Sequence, residues 1–118
     1  MKRARQAGNA RELFALGRPV VTKDANGAEV VGSWEERRVW GWREPLSGRE
    51  FMQAAVLKDA VDCRITTAWD PTFVPTAQWR FVDVDSGAVF SIVTVMIDAA
   101  NRLVECMCRV TLAQRDGR

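Results

Sequence analysis

The chain has no histidine and no tyrosine, only three cysteines and four prolines, and a formal net charge of just +2 across 118 residues. Each shortage excludes something. Histidine is the side chain that most readily exchanges a proton near neutral pH and most often ligates a metal, so enzyme and metal-site readings start weak. Cys63, Cys106 and Cys108 are an odd set, and reduced thiols are the expectation rather than a disulfide framework. The small net charge argues against a protein that grips nucleic acid over its whole surface. Only the first eighteen residues are locally basic, with Lys2, Arg3, Arg5, Arg11 and Arg18 against Glu12. No run approaches the ~18 apolar residues of a membrane span. The opening "MKRARQAGNAR" lacks the apolar stretch of a secretory signal, so synthesis in the cytoplasm with no membrane partner is expected.

What is present is ordinary for a soluble globular chain, 47% hydrophobic and 27% charged. A chain of this size removes about two-thirds of its unfolded surface from water and needs no staple. No repeat, linker or low-complexity tract divides it, and a single domain is expected. Within it, residues 9–112 would form the folded body, 1–8 a flexible basic arm and 113–118 a flexible tail.

Period-two patterning dominates. In "LVECMCRVTL", Val104, Cys106, Cys108 and Val110 fall on one face and Leu103, Glu105, Met107 and Arg109 on the other. "AVFSIVTVMI" is apolar on both sides, with Val89, Val93, Val95 and Ile97 opposite Phe90, Ile92 and Met96. With "QWRFVDV" before it, and turn residues at "DSG" and "DAAN", this predicts a three-strand antiparallel meander. Upstream, "AVDCRITTAW" alternates and is ended by the prolines of "DPTFVP". "LFALGRPVVT" and "AEVVGSW" flank Asn26-Gly27, a tight-turn signal, and "ERRVWGW" reads as a further strand. The fold class expected is all-β, a small antiparallel barrel of six or seven strands with one long loop, residues 44–59, between the second and third major strands. Only residues 46–57 have helical spacing, enough for a turn inside that loop.

Three constellations could carry chemistry, and each has a structural reading. Cys106 and Cys108 with Cys63 could bind metal or work in redox, but a stable zinc site wants four ligands; small core hydrophobes are the expectation. Asp83 with Asp85, or Glu35 with Glu36, could form a carboxylate pair, which needs one pKa raised by burial. Their flanks predict solvated carboxylates instead. The five tryptophans, Trp34, Trp40, Trp42, Trp69 and Trp79, could stack bases on an open barrel, or serve as core and interface anchors. No catalytic residue, metal or cofactor is expected.

Three stretches resemble the head-closure, or head-tail joining, proteins of tailed bacteriophages, also called stoppers or connectors. "AGNARELFALGRP" at 7–19 is similar to that family's opening strand, "VWGWREPLSGREF" at 39–51 to its valine-tryptophan strand and following loop, and the order of elements to residue 111 completes the likeness. Ala10, Leu13 and Arg43 depart from the residue types expected there. The resemblance implies a structural, non-enzymatic virion protein made in the bacterial host cytoplasm. It implies a homo-oligomeric ring at the head-tail neck, with a portal-adaptor ring above, a tail or tail-terminator protein below and transient contact with packaged double-stranded DNA. It makes Glu44, Pro45, Leu46, Ser47, Gly48, Arg49, Glu50, Phe51 and Met52 the channel loop and ring interface, and Trp40 and Trp42 anchors of that loop's root. Lys2, Arg3 and Arg5 become a docking arm. A loop of this length is itself a functional sign, and in it Arg49 and Glu50 could pair across a ring while Phe51 and Met52 offer apolar contact. The alternative is a small β-barrel nucleic-acid-binding module using exposed tryptophans and the basic N-terminus.

Overall fold

The alternating pattern resolves into six antiparallel strands: β1 (Glu12–Lys23), β2 (Glu29–Pro45), β3 (Cys63–Ala68), β4 (Arg80–Asp83), β5 (Val89–Asp98) and β6 (Leu103–Thr111). The computed structural model of the protein describes residues 11–46 and 61–111. The expected basic arm, the C-terminal tail and any helical turn within residues 47–57 lie outside the described residues. The strands close into a barrel in the order β1-β2-β3-β6-β5-β4. The described chain is all-β, and β4, β5 and β6 are the expected meander.

Three features depart from the simple alternation. "AEVVGSW" and "ERRVWGW" are one strand, because no turn residue separates them; within the first of them lies a bulge, with Val20 opposite Ser33 but Val21 opposite Val31, so that Gly32 is the extra residue. A side chain at Gly32 would collide with Thr22, whose Oγ1 and Cγ2 lie 2.7 and 2.9 Å from the position of a Cβ. A second bulge in β5, between Ile92 and Thr94, shifts the phase of that strand. Val95 consequently joins Ile92 on the core side instead of facing away from it, and Met96 turns out to solvent. The β1–β2 turn is the three-residue form rather than the two-residue one. Gly27 N–H donates to Asp24 C=O at 3.0 Å, with Gly27 at φ +85°, and the Asp24 carboxylate accepts from the Asn26 and Ala28 N–H groups.

The core is aromatic and tight. Phe14, Phe81 and Phe90 are buried with Leu16, Ile65, Val104 and the two β6 cysteines. Phe14 meets Phe81 and Phe90 edge-on at 5.4 and 6.0 Å between ring centroids, the arrangement that aromatic quadrupoles favour. Where β2 leaves β1 to pair with β3, Gly41 allows the closest approach. A Cβ there would sit 3.0 Å from Thr67 Cγ2 and 3.1 Å from the Thr66 carbonyl oxygen. Trp40 and Trp42 consequently face outward on either side of a glycine that faces in.

The barrel does not use all of its longest strands. β1 pairs with β4 only from Phe14 to Gly17, and β2 pairs with β3 only from Gly41 to Pro45. Beyond those points β1 and β2 pair with each other alone, and a two-stranded ribbon projects from the barrel wall.

Candidate functional site

Each end of the barrel is covered by arginine over aromatic rings. At the ribbon's root the inward-facing positions next to Leu16 and Val39, Arg18 and Arg37, are charged. The Arg37 guanidinium lies 4.4 Å from the Phe73 ring centre, and Arg18 lies 5.4 Å from Phe73 and 5.9 Å from Trp79. Both cations are held in place: Arg18 pairs with Glu35, and Arg37 donates to Asp70 and to the Thr72 hydroxyl, each at 3.1 Å. The Thr72 hydroxyl and backbone N–H donate to the Asp70 carboxylate and, with Arg37, hold its pKa below the ordinary value. Phe73, from the proline-bearing segment after β3, is thereby drawn into the core as a plug.

At the opposite mouth Arg43 lies 5.4 Å from the Phe90 ring centre and reaches Glu12 at 3.1 Å. Beside it is an open cavity of about 300 Å³ lined by Arg43, Pro45, Asp62, Cys63, Phe90 and Val110. Asp62 is occupied, its carboxylate accepting from the Val110 N–H at 2.8 Å. This mouth lies where residues 47–60 leave and rejoin the barrel.

The expected channel-loop residues divide here. β2 runs on through Glu44 and Pro45, opposite Arg64 and Cys63, so the connection starts at Leu46 instead of Glu44. Glu44 is buried and accepts from Arg64 at 3.3 Å, a cross-strand ion pair rather than a free loop carboxylate. Ser47, Gly48, Arg49, Glu50, Phe51 and Met52 lie outside the described residues, as do Lys2, Arg3 and Arg5. Trp40 is 54% exposed, with the Arg11 guanidinium 5.8 Å from its ring, and Trp42 is half-buried.

The other candidate groups take structural places. The three thiols are free and buried, Cys63 directly opposite Cys108 on the neighbouring strand. Burial pushes the Cys63 thiol up to about 11 and Cys106 to about 12, and Cys108 upward as well, so all three stay protonated at neutral pH. Among the described residues no group of three or more Cys, Asp or Glu side chains is placed to hold a metal. Cys106→Ser is expected to lower stability by about 1–3 kcal/mol, because it buries a hydroxyl among apolar neighbours. Equilibrium urea unfolding checks the cost.

Glu35 and Glu36 are solvated as expected, paired with Arg18 and, at 3.9 Å, Arg80. Asp83 is not: it is buried at the start of the β4–β5 turn, where its carboxylate accepts from Asp85 and Ser86 N–H groups at 2.9 and 3.2 Å. Asp85 sits in the exposed turn, so the two carboxylates do not converge. The tryptophans also scatter. Trp79 is buried against Phe73, Trp34 lies under the Arg80 guanidinium at 4.1 Å, and Trp69 is half-buried with its indole N–H unpartnered. They form no stacking platform.

The projecting ribbon is not anticipated by the sequence reading. Val20, Val21, Val30 and Val31 on it are all exposed, and so are Met96 and Ile97 at the far end of β5. The signal was available in "RPVVT" and "AEVVG", where apolar pairs flank a turn with no third strand to cover them.

A family model described as phage head completion protein matches residues 5–111. A solution structure of a Shigella flexneri 2a protein is similar over 91% of this chain and 97% of that one, with a TM-score of 0.67 at 20% identity, which is a likeness of fold. No curated protein matches.

Proposed function

The chain belongs to the phage head completion protein family, and on that premise we propose that it forms a ring at the particle neck that closes the DNA-filled head and joins it to the tail. Its role is structural, in assembly of the phage head, and it is a component of the virion. The observation that carries this reading is the extent of the family match, which takes in every strand of the barrel and the whole connection between β2 and β3.

In this reading the ring sits between a portal-adaptor ring and a tail or tail-terminator protein. The connection after Pro45, with Leu46, Ser47, Gly48, Arg49, Glu50, Phe51 and Met52, supplies the channel loop. Trp40 and Trp42 flank Gly41 on the strand that leads into it and brace its root from outside the barrel. Lys2, Arg3 and Arg5 serve as the docking arm toward an adjoining ring. DNA has to slide past during packaging and ejection. A strongly basic lining would oppose that, since every neutralised phosphate adds salt-dependent grip. The described arginines support a conduit instead: Arg18, Arg37 and Arg43 are spent on carboxylates and aromatic rings within the chain.

Electron microscopy of particles from a strain with this gene disrupted tests the reading. Unattached tails beside heads that have lost their DNA, restored by complementation, are the expected result. Intact tailed particles full of DNA would end it.

A further inference from the structure

Two of the three buried thiols meet across the ladder that joins the two halves of the chain. The barrel has two non-local seams, β1 with β4 and β3 with β6, and in the second of these Cys63 stands directly opposite Cys108. Directly opposed residues of an antiparallel pair have Cα atoms about 4.5 to 5.5 Å apart and side chains on one face, within the span of about 4.4 to 6.8 Å that a disulfide bridges. Cys106 has no such partner, because it stands opposite Ile65 on β3 and Val95 on β5. The pair is also reachable. Cys63 lines the open cavity of about 300 Å³ at the Arg43 mouth, whereas Cys106 and Cys108 are fully enclosed.

We propose that Cys63 and Cys108 are a latent disulfide, reduced while the chain is in the cell and closed by peroxide once the particle is outside it, bonding β3 to β6 beside the mouth where the β2–β3 connection rejoins the barrel. This rests on the reading of the chain as a virion component, which carries a protein made among reducing thiols into an oxidising medium.

The cavity admits hydrogen peroxide to Cys63. The Cys63 thiolate attacks one oxygen, the O–O bond breaks, and the other oxygen leaves as water with the proton that Cys63 gave up; a sulfenic acid remains. The Cys108 sulfur then attacks that sulfur, the S–O bond breaks, and the hydroxyl leaves as a second water with the Cys108 proton. The two thiols lose two electrons and one peroxide gains them. The surroundings set the pace. Burial raises the Cys63 pKa to about 11 against the pull of Arg43 on β2, with smaller upward pushes from Asp62 and from Glu12 on β1. Cys108 is raised as well, by burial and then by Cys106 and Cys63. The thiolate is therefore scarce at neutral pH, which keeps the pair reduced during assembly, and its fraction grows about tenfold with each pH unit below the Cys63 value. Once formed, the bond closes a loop that holds the Phe73 plug, β4 and β5, so it narrows the unfolded ensemble and raises the melting temperature by several degrees.

The test treats purified protein with hydrogen peroxide at about pH 8 under native conditions, then quenches with acid, alkylates, and maps the unreduced tryptic peptides by tandem mass spectrometry. A bridge is expected between peptide 59–64, which holds Cys63, and peptide 103–109, with fragment ions placing the bond on Cys108 and the alkyl group on Cys106. A rise in melting temperature of several degrees, reversed by a reductant, should accompany it. Cys106→Ala should still form the bridge and Cys108→Ala should not, each checked for a cooperative melt. A bond through Cys106, a bond between two chains, or all thiols still alkylated when an unfolded control has reacted to completion overturns the inference. In particles kept in an aerobic lysate the bridge should accumulate over days, and a Cys63 and Cys108 that stay reduced there overturn it too. Absence of the chain from purified particles overturns the virion reading instead, and with it the setting of the bridge but not its chemistry.

Discussion

Phe14→Ala is expected to bring the protein to the edge of unfolding, with a loss of about 3–5 kcal/mol from a total that for domains of this kind is about 5–15 kcal/mol. Phe14 is fully buried, and its ring is shared edge-on with Phe81 from β4 and Phe90 from β5. Its strand also closes the barrel, pairing with β2 on one side and β4 on the other. Truncation would therefore open a cavity at the seam, where neither neighbour can collapse into it without breaking the ladder, and would remove two aromatic contacts. A fall in melting temperature of roughly 10–20 °C is the corresponding shift for a chain of this size. Val31→Ala provides the contrast: the side chain is about half exposed on the ribbon, so the change should stay within about 0.5 kcal/mol. Equilibrium urea unfolding of both variants decides the matter. A cost below about 1 kcal/mol for Phe14→Ala would mean that the barrel is not organised around this ring.

The barrel was legible because its strands bury one face, so period-two alternation in "LVECMCRVTL" and "CRITTA" maps directly onto burial. The two places where alternation misled are the two bulges. A single extra residue reverses every later side chain on a strand, and nothing in "SIVTVM" marks Val93 as that residue, since all of its neighbours are β-branched or apolar. Gly32 did carry a signal, but it reads equally well as the end of a strand. Asp83 was mistaken for a solvated carboxylate because a turn of "DSG" type suggests exposure, whereas the first aspartate of such a turn can satisfy its oxygens on the turn's own N–H groups and be buried at little cost. Arg18, Arg37 and Arg43 sit at positions that face inward by parity, and sequence patterning gives no warning that a guanidinium can end a core by lying on its aromatic rings. The projecting ribbon escaped notice for a related reason. Strand pairing across the barrel is non-local, and only the register between β1 and β4 shows that Val20 and Val21 have left the wall. Of the candidate site, the strands that lead into and out of the β2–β3 connection are placed, and they locate that connection at the Arg43 mouth.

Deletion of residues 47–56 is expected to separate folding from function. Pro45 stands opposite Cys63, and the β2–β3 ladder continues from there through Gly41 and Thr67, so the two ends of the connection are held together by paired strands whatever lies between them. Shortening a surface connection changes its closure entropy by well under about 1 kcal/mol per halving of length. The residues that remain, Leu46 and 57–62, exceed the few that a hairpin needs. The variant should therefore melt close to the full-length chain. On the neck-ring reading, what it should lose is the seal. With Phe51, Met52 and the Arg49–Glu50 pair gone, copies around the channel would have no apolar or ionic contact to make with one another across it, and packaged DNA would have an open path outward under its own pressure. Heads should then fill and empty, and infectious titre should fall to that of the strain lacking the gene, while the chain itself is still found in particles. Counting DNA-filled heads by electron microscopy alongside the titre distinguishes the outcomes. Full genomes and normal infectivity would show that closure does not depend on this connection, whereas particles lacking the chain would show that the deleted residues also serve assembly.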